Sequence, residues 1–296
     1  MPDNTTSTGR VSVAKTHKLY IGGAFPRSES GRTYEATTAD GTFLANIAMG
    51  SRKDVRDAVS AAWKAVDGWA GRTAYNRGQI LYRIAEVIEG RRDQFTADVA
   101  AAEGLSRDAA AREVDAAIDR WVWYAGWTDK IAQVFGNANP VAGPYFNVST
   151  PEPTGVVAVI APQESSLLGL VSTIAPALAG GNVVVAVASQ QRPIPAVTLS
   201  EVLATSDVPA GVVNVLTGHT DELAPVLASH MDVGAIDLTG ASPEQAVDLL
   251  QAAAGSTTRI VARPSTVTSE AWHTPATTAR LRGALEVKTV WHPAGV

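Results

Sequence analysis

The chain has 296 residues, of which 46% are hydrophobic and 18% charged, with a formal net charge of -5 and no cysteine. That balance describes a globular chain with ample apolar surface to bury, in one large domain or two smaller ones. The negative charge and the absence of any Lys/Arg run argue against nucleic acid and anionic membranes as partners, no apolar run is long enough for a membrane span, and without cysteine there is no disulfide framework or thiolate metal site.

Residues 1–17 are polar and Thr/Ser-rich without an apolar centre, which predicts a disordered tail rather than a signal peptide and leaves the cytoplasm as the expected compartment. Residues 18–25, apolar and β-branched ahead of Gly22-Gly23, predict a strand and tight turn. Helical spacing follows at 54–69, where Val55, Ala58, Val59, Ala62, Trp63 and Val66 form one stripe, and again through Ile80, Leu81, Ile84, Val87 and Ile88. A third helix is expected at 92–102 and a long one at 108–132, with Trp121, Trp123, Tyr124 and Trp127 as packing residues. Glu103 and the carboxylates of 108–119 read as a solvated helix face. Between 137 and 153 the helical period stops, and five prolines and glycines punctuate short alternating runs, the pattern of a projecting β-hairpin arm.

From residue 154 apolar strands alternate with helices. Strands are expected at 155–160, 182–186, 211–216, 233–238 and 258–262, with helices at 167–179, 195–203, 222–229 and 243–254. This is the signature of a parallel sheet covered on both faces, an α/β doubly wound, Rossmann-like domain. After an irregular stretch at 263–275, a short helix at 277–285 leads into a final strand at 287–291. The expected domains are therefore a tail (1–17), a helical part (18–136), a hairpin (137–153), the Rossmann-like domain (154–266) and a linker with short helix and C-terminal strand (267–296).

Several runs in this order resemble the aldehyde dehydrogenase superfamily. They are Tyr20-Ile21-Gly22-Gly23, Trp123-Tyr124-Ala125-Gly126-Trp127, Glu152-Pro153-Thr154-Gly155, the run from Ile174 to Asn182, and the run from Pro209 to Gly218. The resemblance implies cofactor contacts at Ile160, Pro162, Gln190, Gly218, Thr239 and Gly240. It also implies four departures. Glu164 stands where the family has the Asn of its oxyanion hole, and a carboxylate there repels a developing oxyanion. Val187 and Gln190 replace the Lys and Glu that hold the cofactor ribose, and Ala241 replaces a Ser beside the pyrophosphate. Arg263 occupies the position of the general-base Glu, a role its always-protonated guanidinium cannot fill. Past that point a domain on the order of 200 residues, which carries the family's nucleophilic cysteine, is missing. The chain passes instead to Glu286-Val287-Lys288-Thr289-Val290-Trp291, which is similar to the family's C-terminal strand.

The resemblance assigns the hairpin and that strand to oligomerisation, through Pro144, Tyr145, Phe146, Val148, Val287, Thr289, Val290 and Trp291. The strand is expected to find no sheet within its own chain and to need a partner's edge. The reading is a catalytically inactive pseudoenzyme that assembles with an intact aldehyde dehydrogenase as a hetero-oligomer and scaffolds or regulates it. It requires no cofactor, holds NAD at most weakly, and has no metal site, since the five histidines lack ligand spacing. The alternatives are a weak NAD(P)-binding module, or an NAD(P)-dependent aldehyde oxidoreductase subunit that uses a partner's cysteine.

Overall fold

The computed structural model describes residues 14–265 and 268–294. Most of the expected tail thus lies outside the described residues. Its inner end does not behave as tail: Thr16–His17 (β1) pairs in parallel with Phe43–Ala48 (β3), which in turn pairs antiparallel with Thr33–Thr37 (β2). The expected strand at 18–25 is not a strand. It makes isolated bridges at Tyr20 to Val215 and Ile21 to Ala24, around Gly22 and Gly23 with φ of 60° and 78°. Two consecutive left-handed residues turn the chain there before a ladder can extend.

Four amphipathic helices follow. Ser51 starts α1 (Arg52–Ala70): its hydroxyl accepts from the N–H of Lys53 and Asp54 while the Asp54 carboxylate accepts from the Ser51 N–H, a reciprocal cap. Next come α2 (Ala74–Gly90), α3 (Arg92–Glu103) and α4 (Arg107–Ala125). Their stripes, including Val55, Ala62, Leu81, Ile84, Ile88, Phe95, Val114 and Trp121, are fully enclosed. The expected long helix breaks after Ala125. Gly126 ends α4, the Thr128 hydroxyl bonds back to the Ala125 carbonyl at 2.9 Å, and a separate short helix, α5, covers Ile131–Phe135.

The α/β domain has five parallel strands: β6 (Val156–Ile160), β7 (Val183–Val187), β8 (Val213–Leu216), β9 (Ala235–Asp237) and β10 (Arg259–Ala262). The first four are buried along their whole length because helices cover both faces, so their sequences are apolar runs rather than alternating, interrupted only by Asn214 in β8 and Asp237 in β9. The crossover helices are α6 (Leu168–Ala179), α7 (Ile194–Leu203), α8 (Thr220–Ala228) and α9 (Ala246–Gly255), the last preceded by a 3-10 turn at Pro243–Gln245. Strand order is β10-β9-β6-β7-β8. The chain builds outward from β6 to β8 and then returns to β9, so the order reverses between β6 and β9, where such sheets open a crevice at their carboxyl ends. The indole of Trp69 donates to the Leu178 carbonyl at 3.1 Å, fastening α1 to α6.

The hairpin forms as expected from β4 (Asn137–Asn139) and β5 (Tyr145–Pro153). The last strand does not lack a sheet of its own. After a 3-10 turn at Ser269–His273 and α10 (Ala279–Gly283), β11 (Leu285–Pro293) pairs antiparallel with β5 in nine consecutive register pairs, from Leu285 with Pro153 to Pro293 with Tyr145. The sheet order is β11-β5-β4, so among the described residues β11 is satisfied on one side and open on the other. The expectation failed because a strand has two edges: β4 pairs with three residues along one edge of β5, and the other edge, free over all nine residues, accepts β11.

One buried side chain joins arm and domain. Asn182 is wholly inaccessible. Its Oδ1 accepts from the Gly155 N–H and the Thr154 hydroxyl, both at 3.0 Å, and its Nδ2 donates to the carbonyls of Ala284 at 2.9 Å and Ala177 at 3.3 Å. These groups open β6, open β11 and close α6. Asn182→Leu keeps the branching of the side chain but leaves the Gly155 N–H without its acceptor and takes one donor from each of the two carbonyls, and a cost of about 3 kcal/mol is expected. Chemical denaturation measures the loss, and hydrogen exchange should rise first at the Ala284–Leu285 root of β11; unchanged protection there would contradict the assignment of Asn182 as the joint.

Candidate functional site

The loops after β6, β7, β8 and β9 surround a cleft of about 300 Å³ lined by Gln163, Gln190, Gln191, His219, Thr220, Asp221, Gly240, Ser242 and Gln245. It holds four amides and no lysine or arginine. Of the six cofactor positions named from sequence, Gln190 and Gly240 line it, whereas Ile160, Pro162, Gly218 and Thr239 are buried and do not. Gly240 is held on the sheet end: its N–H donates to the Ile160 carbonyl at 2.9 Å, and a Cβ there would fall 1.8 Å from the Ala161 carbonyl oxygen. No other residue fits that approach.

Gln190 already has partners. Its Oε1 accepts from the Thr220 N–H at 3.2 Å, at the start of α8, and its own N–H donates to Gln163 Oε1 at 2.9 Å. The amide thus satisfies a helix-terminal donor that would otherwise face the cleft. The Thr220 hydroxyl is buried without a hydrogen-bond partner among the described residues. Val187, at the position of the family's Lys, is completely enclosed in β7.

Glu164 is exposed, and its charge is met. Arg192 lies 3.2 Å from the Glu164 carboxylate and also donates to the Glu164 carbonyl. Arg263 lies elsewhere, exposed at the end of the edge strand β10, so the two degenerate positions do not pair with each other. Beneath the same loop sits a feature that the sequence reading placed in solvent. Glu113 is 1% exposed, and Glu103 is mostly buried beside it. The Ser165 hydroxyl donates to Glu113 at 3.0 Å and itself caps the Gly169 N–H of α6 at 2.8 Å. Glu103 accepts from both the N–H and the hydroxyl of Ser166, at 2.7 and 2.6 Å. Burial, followed by the neighbouring Glu113 charge, pushes Glu103 up to about 7, and burial also raises Glu113. Helical spacing puts 113 on the face of Ala110, Val114 and Ala117, all buried, and that was the available signal.

The second missed feature lies at the end of β9. Asp237 is 1% exposed in an otherwise apolar strand. Arg280, from α10, donates from Nε to Asp237 Oδ2 at 2.8 Å and from Nη2 to the Thr239 hydroxyl at 2.9 Å. Asp237 Oδ1 accepts from the Thr239 N–H at 2.9 Å and from its hydroxyl. The Arg280 guanidinium also lies 5.0 Å over the Trp272 ring. Arg120 holds the same segment by donating to the carbonyls of Trp272 and Thr274, both at 2.9 Å, and Tyr124 donates to Thr277. The connector from β10 to β11 is therefore fixed against α4 and β9, and it consumes the polar capacity of Thr239. An acid inside a parallel strand demands a cation, which sequence could have flagged without saying which one.

The oligomerisation residues named from sequence gather on the arm. Tyr145 and Trp291 meet edge to face with centroids 5.8 Å apart, Thr289 bonds Ser149 at 2.8 Å, and Val148 pairs with Val290. Phe146 and Val287 are exposed, and Pro144 receives the Ala294 N–H at 2.7 Å. Among the described residues no helix is long and apolar enough to cross a membrane and no group of three His, Asp or Glu side chains could hold a metal.

Residues 25–264 match the model of the aldehyde dehydrogenase family. The 2-hydroxymuconic semialdehyde dehydrogenase of Pseudomonas sp. strain CF600 is 34% identical over 231 residues, 76% of this chain and 48% of the relative. The mitochondrial benzaldehyde dehydrogenase of Antirrhinum majus is 33% identical over 229 residues, 76% of this chain and 42% of the relative. A Bacillus cereus aldehyde dehydrogenase solved as an NAD+ complex superposes with a TM-score of 0.78 at 26% identity, covering 83% of this chain and 50% of that one. The chain spans half or less of the length of these relatives.

The carboxyl pair gives the fold a measurable pH dependence. Because the folded-state pKa of Glu103 lies above that of the unfolded chain, its contribution to stability is fully present below about pH 4.5 and is lost as pH rises through about 7. Glu103→Gln should flatten that slope and be more stable than the parent at pH 8 by roughly 2 kcal/mol. Urea midpoints at pH 5 and pH 8 test this, and a variant less stable at pH 8 would refute it.

Proposed function

This chain belongs to the aldehyde dehydrogenase family, and from that premise we propose that it is a catalytically inactive member that docks onto an intact aldehyde dehydrogenase and scaffolds or regulates it. The observation that carries the reading is a complete three-stranded arm, open along β11, on a chain with no cysteine. The ladder of β11 with β5 runs over nine residues, and the outer side of β11 has no strand on it among the described residues. It offers backbone donors and acceptors to a neighbour's sheet. The 22 residues between Ala262 and Leu285 lead directly from β10 to that arm and carry Arg280 onto Asp237 in place of a further domain.

On the catalytic side, several elements oppose covalent aldehyde chemistry. No thiolate is present, and the exposed carboxylate at 164 is paired with Arg192. The position of the base holds Arg263. The crevice likewise supports only weak dinucleotide binding. Its lining has no cation, Gln190 is spent on α8, Val187 is enclosed, and Thr239 is held by Arg280. These residues do not fit a tightly held cofactor. Losing two charged hydrogen bonds at about 1.5–3 kcal/mol each removes two or more decades of affinity. The NAD+ complex of the Bacillus cereus enzyme makes this crevice the place to test that expectation.

The assembly is tested by mixing the chain with a cysteine-bearing aldehyde dehydrogenase and following sedimentation. A hetero-oligomer is expected with the full chain and none after deletion of residues 286–296, whose loss leaves the α/β domain folded. Co-sedimentation of the deleted chain would remove the arm from the proposal. For the isolated chain, neither aldehyde turnover nor micromolar NAD binding by calorimetry is expected. Steady NAD-dependent oxidation would end the pseudoenzyme reading.

A further inference from the structure

The open edge of β11 is unguarded. Exposed edges are ordinarily blunted by shortness, by bulges or by unpaired charge. The opposite edge of this sheet follows that rule, since β4 has three residues. β11 has nine, and its register with β5 runs without a bulge. Its one lysine, Lys288, is neutralised by Glu152 at 3.2 Å, and its proline is the last residue. Side chains beside this edge include Val287, 67% exposed, and Trp291, 55% exposed.

The sequence of the edge is self-complementary. In a two-fold antiparallel pairing, residue i faces j and j faces i, so the sum of facing numbers is constant. Centring the axis on Thr289 places all nine residues of β11 opposite the nine of a second copy. Val287 then faces Trp291 of the other chain twice over, a β-branched residue against an aromatic, and Glu286 faces His292 twice, a carboxylate against a ring N–H donor. Lys288 faces Val290, so no like charges are directly opposed. Axes on Lys288 or Val287 shorten the overlap to seven or five residues and lose the Glu286 to His292 match. Side chains of 287, 289 and 291 share one face with Tyr145, so the same pairing brings two Tyr145–Trp291 clusters onto one continuous surface.

We propose that β11 is a symmetric docking edge for a second copy of this chain, joined about Thr289 into a six-stranded antiparallel sheet β4-β5-β11-β11-β5-β4. This pairing stands whether or not an intact enzyme is also bound, and because each chain has one such edge, self-pairing and pairing with another sheet exclude one another. The self-paired chain is then a closed, stored form, and a partner with a better-matched edge opens it.

The absence of cysteine makes the register directly readable. Light scattering across the micromolar range should give a mass about twice 30.8 kDa. In Thr289→Cys, the two thiols meet on the axis and mild oxidation should link most of the protein as a disulfide dimer, whereas Thr150→Cys, on the inner strand, should stay unlinked. E286R and H292E should each weaken the dimer about tenfold, and the double variant should restore it by exchanging the facing charges. Circular dichroism confirms that each variant is folded. A folded chain that is monomeric throughout, a Thr289→Cys chain that does not cross-link, or a dimer indifferent to both charge changes overturns the proposal. If an intact enzyme still captures such a monomer, the hetero-assembly survives and the self-pairing alone falls.

Discussion

The arm is referred to the α/β core through the amide of Asn182. A single planar group with two donors and one carbonyl oxygen satisfies the start of β6, the end of α6 and the carbonyl preceding β11. In a site with no access to water, losing one of these bonds costs free energy that no solvent bond returns, so their relative positions are fixed within hydrogen-bond tolerance. The arm therefore leaves the domain at a set angle rather than as a loose flap. The Trp69 indole makes the same kind of bond to the next carbonyl of α6, that of Leu178, and the two together lock α6 between the helical layer and the arm.

The crevice end of the sheet is governed by charge. Four acids lie there, three of them buried or mostly so, and they are handled in three ways. Asp237 is given a cation, Arg280. Glu113 and Glu103 are given hydroxyl and backbone N–H donors from the Ser165–Ser166 loop, and burial raises the pKa of both, with the charge of Glu113 adding to the shift of Glu103. Glu164 is left exposed with Arg192. The loops that would receive a ligand are thus already bound to side chains of the same chain. The fold is that of the family, and its crevice has been turned inward.

Much of this was legible in the sequence. Apolar runs at 156–160 and 183–187 can only be strands of a sheet covered on both faces, and the stripes of α1 and α2 are regular enough to place without structure. The strands β2 and β3 were missed because Thr-Tyr-Glu-Ala-Thr and Phe-Leu-Ala-Asn-Ile-Ala have weak alternation, although the Asp40-Gly41 pair between them is a hairpin signal. Glu113 was misread because the charges around it on α4 do face solvent, and one buried carboxylate among them is invisible to composition. The Asp237–Arg280 pair and the β11–β5 ladder were missed for a common reason. Both join residues far apart in sequence, and pattern along a chain carries no information about which distant segment supplies a partner.

That separation has a consequence for how the protein is made. Ser149 and Thr289 lie side by side in the arm but 140 positions apart in the chain. At a synthesis rate of roughly 5–20 residues per second, β5 waits about seven to thirty seconds for β11 to leave the ribosome. During that interval its edge is bare while the parallel sheet behind it is still being assembled. Neighbouring ribosomes on one message hold the same bare strand in close proximity, and a strand that pairs with a sibling before its own β11 arrives yields an exchanged arm. For this architecture, the pace of translation through the stretch between β5 and β11 decides how much of the product is correctly closed.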